Sequence, residues 1–519
     1  MGALIPSALI LSPCLMTPTP RFPRSSGVLL HLTSLPSPHG SGDLGPAAYH
    51  FIDWLHAAGQ SVWQFLPLGG IGLGGSPYMS SSAFAGNVLL IDLTELHRRG
   101  WLEADDLVAQ EGLSNERVQF DRVIPYRMER LRRAAARFET TATPQERADL
   151  AAFQAAQAVW LDDYALFMAL SEHYGERLWN TWDAALAQRQ PEALQQARAQ
   201  HAERIAFWTF AQWCFFRQWA ALRAYAHDKG VRLMGDMPIF ISLNSADVWA
   251  RPDLFQLDAR GHPTVVAGVP PDYFSATGQR WGNPHYRWAA HEAEGFAWWI
   301  ARLRATFELV DWVRVDHFRG FESCWEIPAD EPTAIGGRWV QAPGVALFEA
   351  VSKALGPLPI IAEDLGVITP EVTALRQRFG FPGMRILHFA WGQNDGGDNA
   401  YLPHNYTHDT VVYPGTHDND TSEGWWATAP EAVRHHLREY LACDGGDIAW
   451  TLIRAASASV ADIALFALQD VLRLDGTQRM NTPGTAQGNW TWRFTWDQVQ
   501  PGHAAGLLRF GQLYNRLPA

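Results

Sequence analysis

The segment Val310-Asp-Trp-Val-Arg-Val-Asp316 has the composition and alternation of a β-strand, and it ends in a carboxylate. Side chains alternate between the two faces of a strand, so Arg314 and Asp316 share one face while the flanking valines share the other. In barrel enzymes, catalytic groups stand at the carboxyl ends of strands. This segment therefore predicts a strand and, at its end, a candidate site.

Seven other short segments follow the same pattern of β-branched residues that end in polar residues. They are residues 27–32, 61–66, 231–236, 358–363, 384–389, 410–413 and 462–467. Stretches with helical periodicity separate most of them, for example residues 46–58, 298–307 and 370–379. Such alternation predicts parallel strands joined by helical crossovers. Eight units favour an α/β fold of the closed (β/α)8 TIM barrel type over an open doubly wound sheet.

The length of 519 residues fits several average domains or one large barrel with insertions. We predict a disordered N-terminal extension at 1–24 and a single catalytic domain at 25–519. For the first fifteen residues a signal peptide is the alternative, although a positively charged start is missing. Residues 94–200, rich in Ala, Leu, Glu and Arg, predict an inserted helical subdomain. Residues 250–288, rich in Pro, Gly and aromatics, predict a loop-rich subdomain over the C-terminal face of the barrel.

Charge and composition narrow the class of partner. The net charge is -13 and no Lys/Arg-rich run is present, which argues against nucleic acid and against a membrane surface. No apolar span is long enough to cross a membrane. The four cysteines match no zinc or redox spacing, which favours a reducing cytoplasm. The 24 Trp residues suit core packing and, at loops, flat platforms for a sugar chain.

Four carboxylates fall at or just beyond the ends of predicted strands, and these are Asp236, Asp316, Glu363 and Asp418. A single such residue is often a helix N-cap, but four on one rim suit glycosidic bond cleavage, which uses a carboxylate pair. Arg314 favours an ionised Asp316, as a nucleophile needs. Glu363 ends an apolar strand with no cation within two residues, which favours a raised pKa and an acid/base role. The alternative for Arg314 and Asp316 is a structural ion pair that supports the barrel.

Several motifs together resemble those of a known family. The segments Val313-Arg-Val-Asp-His-Phe-Arg-Gly-Phe321, Ala362-Glu-Asp-Leu-Gly366 and Gly415-Thr-His-Asp-Asn-Asp-Thr421 resemble the catalytic segments of 4-α-glucanotransferases, relatives of the α-amylase clan. Gly235-Asp-Met-Pro-Ile-Phe240 is similar to the clan's segment at the third strand. Two longer segments, residues 75–87 and 268–283, resemble segments particular to amylomaltases. The match runs from about Ser25 to the C-terminus.

The resemblance implies a role for each matched residue. Asp316 is implied as the nucleophile, Glu363 as the general acid/base and Asp418 as the transition-state stabiliser. The implied substrate-binding residues are Ser76, Tyr78, Asp236, Asp272, Tyr273, Phe274, Gln279, Trp281, Arg314, His317, His417 and Asn489. Among these, Tyr273 and Phe274 match the aromatic tip of the acceptor-side loop. Simpler alternatives stay open: Asn489 caps a turn, Trp281 packs in the core, and the two tip aromatics anchor their loop.

The implied function is transfer of an α-1,4-glucan segment to the 4-hydroxyl of another glucan or of glucose, by retaining double displacement through a covalent glucosyl-enzyme intermediate. The implied partners are α-1,4-glucans (maltooligosaccharides, amylose, glycogen or starch) and glucose. We expect no cofactor, because the bond made resembles the bond broken. We also expect no metal site, since no Asp-x-Asp-x-Asp-Gly loop occurs. An α-amylase-like retaining hydrolase is the closest alternative, and a catalytically inactive glucan-binding protein is another.

Overall fold

The protein is described by a computed structural model that covers residues 22–271, 275–392 and 398–518. This described part contains twelve strands: β1 (Ser25–Leu29), β2 (Val62–Gln64), β3 (Arg232–Pro238), β4 (Val265–Val269), β5 (Gln279–Pro284), β6 (Trp312–Asp316), β7 (Ser323–Pro328), β8 (Arg338–Gln341), β9 (Ile360–Ala362), β10 (Gly383–Ile386), β11 (Thr410–Tyr413) and β12 (Ile463–Ala467). Its α-helices number eighteen: α1 (Pro46–Ala57), α2 (Leu93–Arg98), α3 (Phe120–Thr141), α4 (Pro144–Ala156), α5 (Leu161–His173), α6 (Ala184–Ala187), α7 (Pro191–Gln200), α8 (Ala202–Asp228), α9 (Ala246–Ala250), α10 (Trp288–Ala293), α11 (Ala297–Leu309), α12 (Gly344–Leu355), α13 (Pro370–Arg378), α14 (Ser422–Thr428), α15 (Glu431–Leu441), α16 (Ile448–Ala458), α17 (Leu468–Val471) and α18 (Pro501–Leu513).

Eight strands form one parallel sheet in the order β10-β11-β12-β1-β2-β3-β6-β9, which curls into a nearly closed barrel. Each of the eight predicted strand segments overlaps one of these strands, so the predicted TIM barrel is confirmed. Strand β1 begins two residues ahead of its predicted start, because Ser25 and Ser26 already pair with β12. The three example helices are confirmed as α1, α11 and α13. Two of them, α1 and α13, begin with a proline, a residue whose fixed φ suits the first helical turn.

The barrel closes between β9 and β10, where the sheet has its two ends. The N–H of Ala362 donates to the carbonyl of Pro382 at 2.9 Å. Beside it, the N–H of Met384 donates to Oδ1 of Asp364 at 2.7 Å. A Cβ on Gly383 would lie 2.4 Å from the Asp364 carboxylate, so glycine is required for this close approach. The side chain of Asp364 thus completes the closure between β9 and β10, which strand pairing alone leaves open.

The barrel interior is filled by apolar side chains from its strands. They are Val62, Met234, Trp312, Ile361, Met384, Ile386, Val411, Tyr413, Ile463 and Leu465. At the amino end of the strands, the ring of Phe22 packs edge-on against Trp312 at 5.1 Å. The Arg24 guanidinium donates to backbone carbonyls, including that of Ala461 at 3.0 Å. Within the described residues, contacts are therefore present from Phe22 onward, and residues 1–21 lie outside the described part.

Two long stretches between barrel strands carry further helices and strands. Between β2 and β3, helices α2 to α7 occupy the stretch in which the sequence predicted several helices. The stretch at 250–288, in which little periodicity was visible, contributes β4 and β5 to a second sheet of order β5-β4-β7-β8. All neighbours in this small sheet are antiparallel. Within the described residues, no helix combines the length and apolar character needed to span a bilayer.

Candidate active site

The register of β3 and β6 brings three charged side chains together at the carboxyl end of the barrel. Asp236 lies opposite Arg314 in this parallel pair. Nη1 of Arg314 contacts Oδ2 of Asp236 at 2.6 Å, and Nη2 contacts Oδ1 of Asp316 at 2.9 Å. Arg314 and Asp236 are buried. One guanidinium therefore joins the carboxylates of two neighbouring strands, and all three groups are positioned by the sheet.

The pKa of Asp316 depends on more than the Arg314 contact that the sequence indicates. Burial raises the pKa of Asp316 to about 8, and Arg314 acts in the opposite direction. Asp236, Glu363 and Asp418 add to the rise, because a further negative charge is repelled by those already present. The predicted ion pair is present, but it does not set the charge alone. Carboxyl groups that interact this strongly titrate as a pair that shares protons.

Glu363 follows β9 directly and is held by two backbone amides. Its Oε2 accepts from the N–H of His317 at 2.7 Å, and its Oε1 accepts from the N–H of Leu365 at 2.9 Å. His317 has left-handed backbone angles, φ 51° and ψ 49°, which are uncommon for a non-glycine residue. Burial raises the pKa of Glu363, while Arg314 and the two amides lower it. The net direction agrees with the sequence prediction for an acid.

Tyr78 and His417 connect Asp236 to the loop that carries Asp418. The Tyr78 hydroxyl lies 2.9 Å from Oδ2 of Asp236 and 2.8 Å from Nε2 of His417. Nε2 of His417 also lies 3.3 Å from Oδ2 of Asp418. Burial lowers the pKa of His417, with Asp418 opposing. A neutral imidazole with its proton on Nε2 satisfies the network, because Tyr78 can then donate to Asp236.

Asp418 lies on a loop beyond the end of β11 and not on a strand. Its Oδ1 accepts a hydrogen bond from Nδ2 of Asn481 at 2.7 Å. Its backbone carbonyl accepts from Nη2 of Arg479 at 2.9 Å. Nε of Arg479 in turn donates to the carbonyl of Asn481 at 2.8 Å. Arg479 and Asn481 were not predicted from the sequence, because no local pattern indicates a contact such as that of Asn481 with Asp418, 63 residues away.

On the side of Glu363, the predicted residues Gln279, Trp281 and His317 lie together. The Trp281 ring stands edge-on to the His317 ring, with centroids 5.0 Å apart. Nε1 of Trp281 donates to Oε1 of Gln279 at 3.2 Å. Trp281 is half-buried and packs against the main core, which fits the alternative in which it is a packing residue. These three side chains therefore lie next to one another on the side of the site that holds Glu363.

Three buried polar atoms of the cluster have no hydrogen-bond partner among the described residues. They are Oδ1 of Asp236, Nε of Arg314 and Nε2 of His317. A buried polar atom without a partner costs ~1–3 kcal/mol. Burial lowers the pKa of His317 to about 3, so its imidazole is neutral. The three atoms are enclosed by neighbouring protein atoms and lie beneath the surface of the cluster.

The remaining predicted residues have more local partners. Oγ of Ser76 accepts from the N–H of Tyr78 at 3.3 Å and supports the turn that presents this tyrosine. Asn489 accepts from the N–H of Thr482 and donates to the carbonyl of Thr485, each at 2.9 Å. These bonds fit the alternative in which Asn489 caps a turn. The predicted residues Asp272, Tyr273 and Phe274 lie outside the described residues.

Trp490 is an aromatic neighbour of the site that sequence analysis did not single out. Its ring centroid lies 5.6 Å from that of Tyr78 and 6.0 Å from that of His417. Its backbone has a positive φ of 64°, which is unfavourable for a bulky residue. The packing of Trp490 on these two rings is therefore accompanied by strain in the backbone of Trp490.

A parallel barrel with several interacting carboxylates at its C-terminal rim is the arrangement of a carbohydrate-processing enzyme that works through paired acidic residues. The aromatic rings around the carboxylates fit the same class, because sugars combine apolar faces with hydroxyl groups.

Comparison with known proteins identifies the family. The family model for 4-alpha-glucanotransferase matches residues 30–498. A 4-alpha-glucanotransferase of Thermus thermophilus is 50% identical over 504 residues, which cover 95% of this chain and 99% of that protein. One of Synechocystis sp. is 49% identical and covers 95% of this chain and 98% of that protein. The chain belongs to the 4-α-glucanotransferase family, so the resemblance and the enzyme class predicted from the motifs are confirmed.

Solved structures agree with this assignment. The amylomaltase of Streptococcus agalactiae, in complex with acarbose, has a TM-score of 0.92 and 39% identity, and the match covers 95% of this chain and 99% of that chain. The amylomaltase of Corynebacterium glutamicum shares the fold, with a TM-score of 0.75 and 19% identity, over 95% of this chain and 75% of that chain.

Proposed function

We propose that this chain transfers an α-1,4-glucan segment to the 4-hydroxyl of a second glucan or of glucose, with Asp316 and Glu363 as the reacting pair. Asp316 attacks the anomeric carbon while Glu363 protonates the departing oxygen, and a β-glucosyl ester of Asp316 forms. Glu363, now ionised, accepts the proton of an incoming 4-hydroxyl. That oxygen attacks the anomeric carbon, the Asp316 carboxylate leaves, and an α-1,4 bond is formed again.

The observation that carries this proposal is the position of the Arg314 guanidinium. It contacts Asp316 directly, at 2.9 Å, and lies between two carboxylates of the rim. In a pair that shares one proton, this contact favours the negative charge on Asp316 and leaves the proton on Glu363. That distribution is the one that the first step requires, because the nucleophile must be ionised and the acid protonated.

The other cluster residues are proposed to bind the sugar at the cleaved bond. Asp418 would accept hydrogen bonds from ring hydroxyls as positive charge develops at the anomeric carbon. Asp236 and His317 would bind further hydroxyls, as the resemblance of their segments implies. Tyr78, His417 and Arg314 would hold these carboxylates and line the same subsite. Trp281 would offer its ring to the acceptor side, next to Glu363 and Gln279.

Transfer requires that a sugar hydroxyl reacts with the glucosyl-enzyme ester in preference to water, which is present at roughly 55 M. A bound and oriented acceptor reaches effective molarities of ~10⁵ M or more, so acceptor binding is sufficient in principle. We propose that the segments at 94–200 and 250–288 act as inserted subdomains, and that the second frames the acceptor side and contributes Asp272, Tyr273 and Phe274 to substrate binding. We also propose a cytoplasmic location, on the cysteine pattern described above.

The test is incubation with maltotriose followed by chromatography of the products. Transfer predicts a ladder of glucans longer than maltotriose together with glucose. An α-amylase-like hydrolase, acting with the same carboxylates, would give only shorter sugars, and that result would overturn the proposal of transfer.

A further inference from the structure

The loop of residues 476–490, here called the clasp loop, packs against the segment that carries Asp418. Arg479 and Asn481 contact Asp418, and Trp490 packs on Tyr78 and His417. Asn481 is buried. The clasp loop therefore meets the candidate site at both of its ends, and its Asn481 side chain binds the carboxylate of Asp418 itself.

We propose that Asn481 is a positioning residue for the reaction, whose side-chain amide fixes the orientation of the Asp418 carboxylate. This inference rests on the proposed role of Asp418 at the cleaved sugar. Asp418 lies on a loop with its side chain 41% exposed, so strand pairing does not restrain it. Its Oδ1 is bound by Asn481 at 2.7 Å, and its Oδ2 lies 3.3 Å from His417. The short bond from Asn481 is the closer of these two contacts and sets the direction of Oδ1.

An amide is the appropriate group for this task. Its N–H donates to an ionised oxygen, and such charge-assisted hydrogen bonds are short and strong. Unlike an Arg or Lys, it brings no positive charge that would compete with the developing charge on the sugar. The Asn481 side chain can thus orient Asp418 and leave its full negative charge available to the substrate.

Arg479 makes the role of the Asn481 side chain separable from the position of the loop. Its guanidinium joins two backbone carbonyls, those of Asp418 and Asn481. These bonds do not involve the Asn481 side chain. Substitution of Asn481 therefore releases the carboxylate of Asp418 while Arg479 continues to hold the two loops together.

The first experiment compares Asn481→Ala with Thr477→Ala. Thr477 is an exposed member of the clasp loop whose hydroxyl donates to Oδ1 of Asp475 at 2.5 Å, without contact to Asp418. A small misplacement of a catalytic group costs ~100-fold, so we expect Asn481→Ala to lower kcat by this order with KM changed less than threefold. Thr477→Ala should retain kcat within twofold. A loss that appears in KM, or equally in both variants, would overturn the positioning role.

Asn481→Asp adds a readout that a purely structural role would not change, and it preserves the size of the side chain. At neutral pH two carboxylates would face each other across 2.7 Å and repel. At lower pH they would share a proton, and the hydrogen bond to Asp418 would be restored. We expect the activity of Asn481→Asp relative to the unmodified enzyme to rise at least tenfold as pH falls from 7 to 5. A constant ratio would contradict the proposal.

A double-mutant cycle with Asp418→Asn separates this inference from the proposed function. If Asn481 acts through Asp418, Asn481→Ala should reduce kcat far less in the Asp418→Asn background than in the unmodified enzyme. Full additivity would overturn the positioning role alone. Unchanged kcat in Asp418→Asn itself would instead overturn the proposed role of Asp418. Melting curves on all variants report folding.

Discussion

Asp316 and Asp418 belong to one cleft, yet they are held in different ways. Asp316 ends a barrel strand, and Arg314 of the same strand ties it to Asp236 on the next. Asp418 lies on a loop and is held by side chains of a second loop, chiefly Asn481. Strands position side chains more precisely than loops do. The group proposed to form a bond thus stands on the rigid element, and the group proposed to bind hydroxyls stands on loops.

The largest effect is expected at the strand-held carboxylate. Asp316→Asn should lower kcat for glucan transfer by ~10⁴-fold or more, because the amide cannot form the ester intermediate. It should also fail with α-glucosyl fluoride, whose leaving group needs little protonation. Initial rates with both donors are the measurement.

Asp311 offers a matched control at the opposite end of the same strand. Its Oδ2 accepts from the N–H of Leu233 at 2.8 Å and its Oδ1 contacts Arg223 at 2.9 Å. Asp311→Asn should lower the melting temperature and leave the rate per folded molecule unchanged. If both substitutions reduced kcat alike, the loss at Asp316 would reflect damage to the strand and not lost chemistry.

Glu363→Gln should come next in size. Transfer between glucans should fall ~10²–10⁴-fold, since general acid catalysis contributes this much. Reaction with α-glucosyl fluoride should persist, because fluoride departs without a proton. Rates with the two donors are compared in one preparation. A similar loss with both donors would show that Glu363 is not the acid.

The pH dependence tests how the rim carboxylates share a proton. The acid step needs a protonated pair, and burial raises the pKa of Asp316 to about 8. Below this pH the pair keeps a proton, and above it the proton is lost. The value of kcat/KM for glucans should therefore fall up to ~10-fold per pH unit above pH 8. In Glu363→Gln with α-glucosyl fluoride, where only an ionised Asp316 is needed, this fall should disappear. The same fall in both profiles would refute the shared proton.

A smaller effect is expected at the hydroxyl that links the two regions. Tyr78→Phe removes the group between Asp236 and His417 and leaves the Tyr78 ring packed on His417 and Trp490. Loss of one hydrogen bond to a buried charged group costs ~1.5–3 kcal/mol, or ~10–150-fold in kcat/KM. Steady-state kinetics with maltotriose give the value, and a melting curve serves as the control. An unchanged kcat/KM would show that the strand and loop carboxylates act independently of this bridge.

The two regions also differ in what the sequence could predict. The strand-held groups were predicted, because a β-branched segment that ends in a carboxylate places that residue on the rim. The contact between Asn481 and Asp418 was not predicted, since it joins loops far apart in sequence. The small antiparallel sheet was missed for the same reason, because β4 pairs with β7 across a long separation. The protonation of Asp316 depends on burial and on neighbours from other strands, which no local pattern contains.

The most direct test of the divided roles is to trap the intermediate. Glu363→Gln is mixed with α-glucosyl fluoride, quenched, digested and analysed by mass spectrometry. The account predicts a peptide that contains Asp316 and carries one glucosyl unit, with the sugar attached to that residue. A glucosyl unit attached to another residue, or turnover of the donor to a product of inverted configuration without any adduct, would contradict double displacement through Asp316.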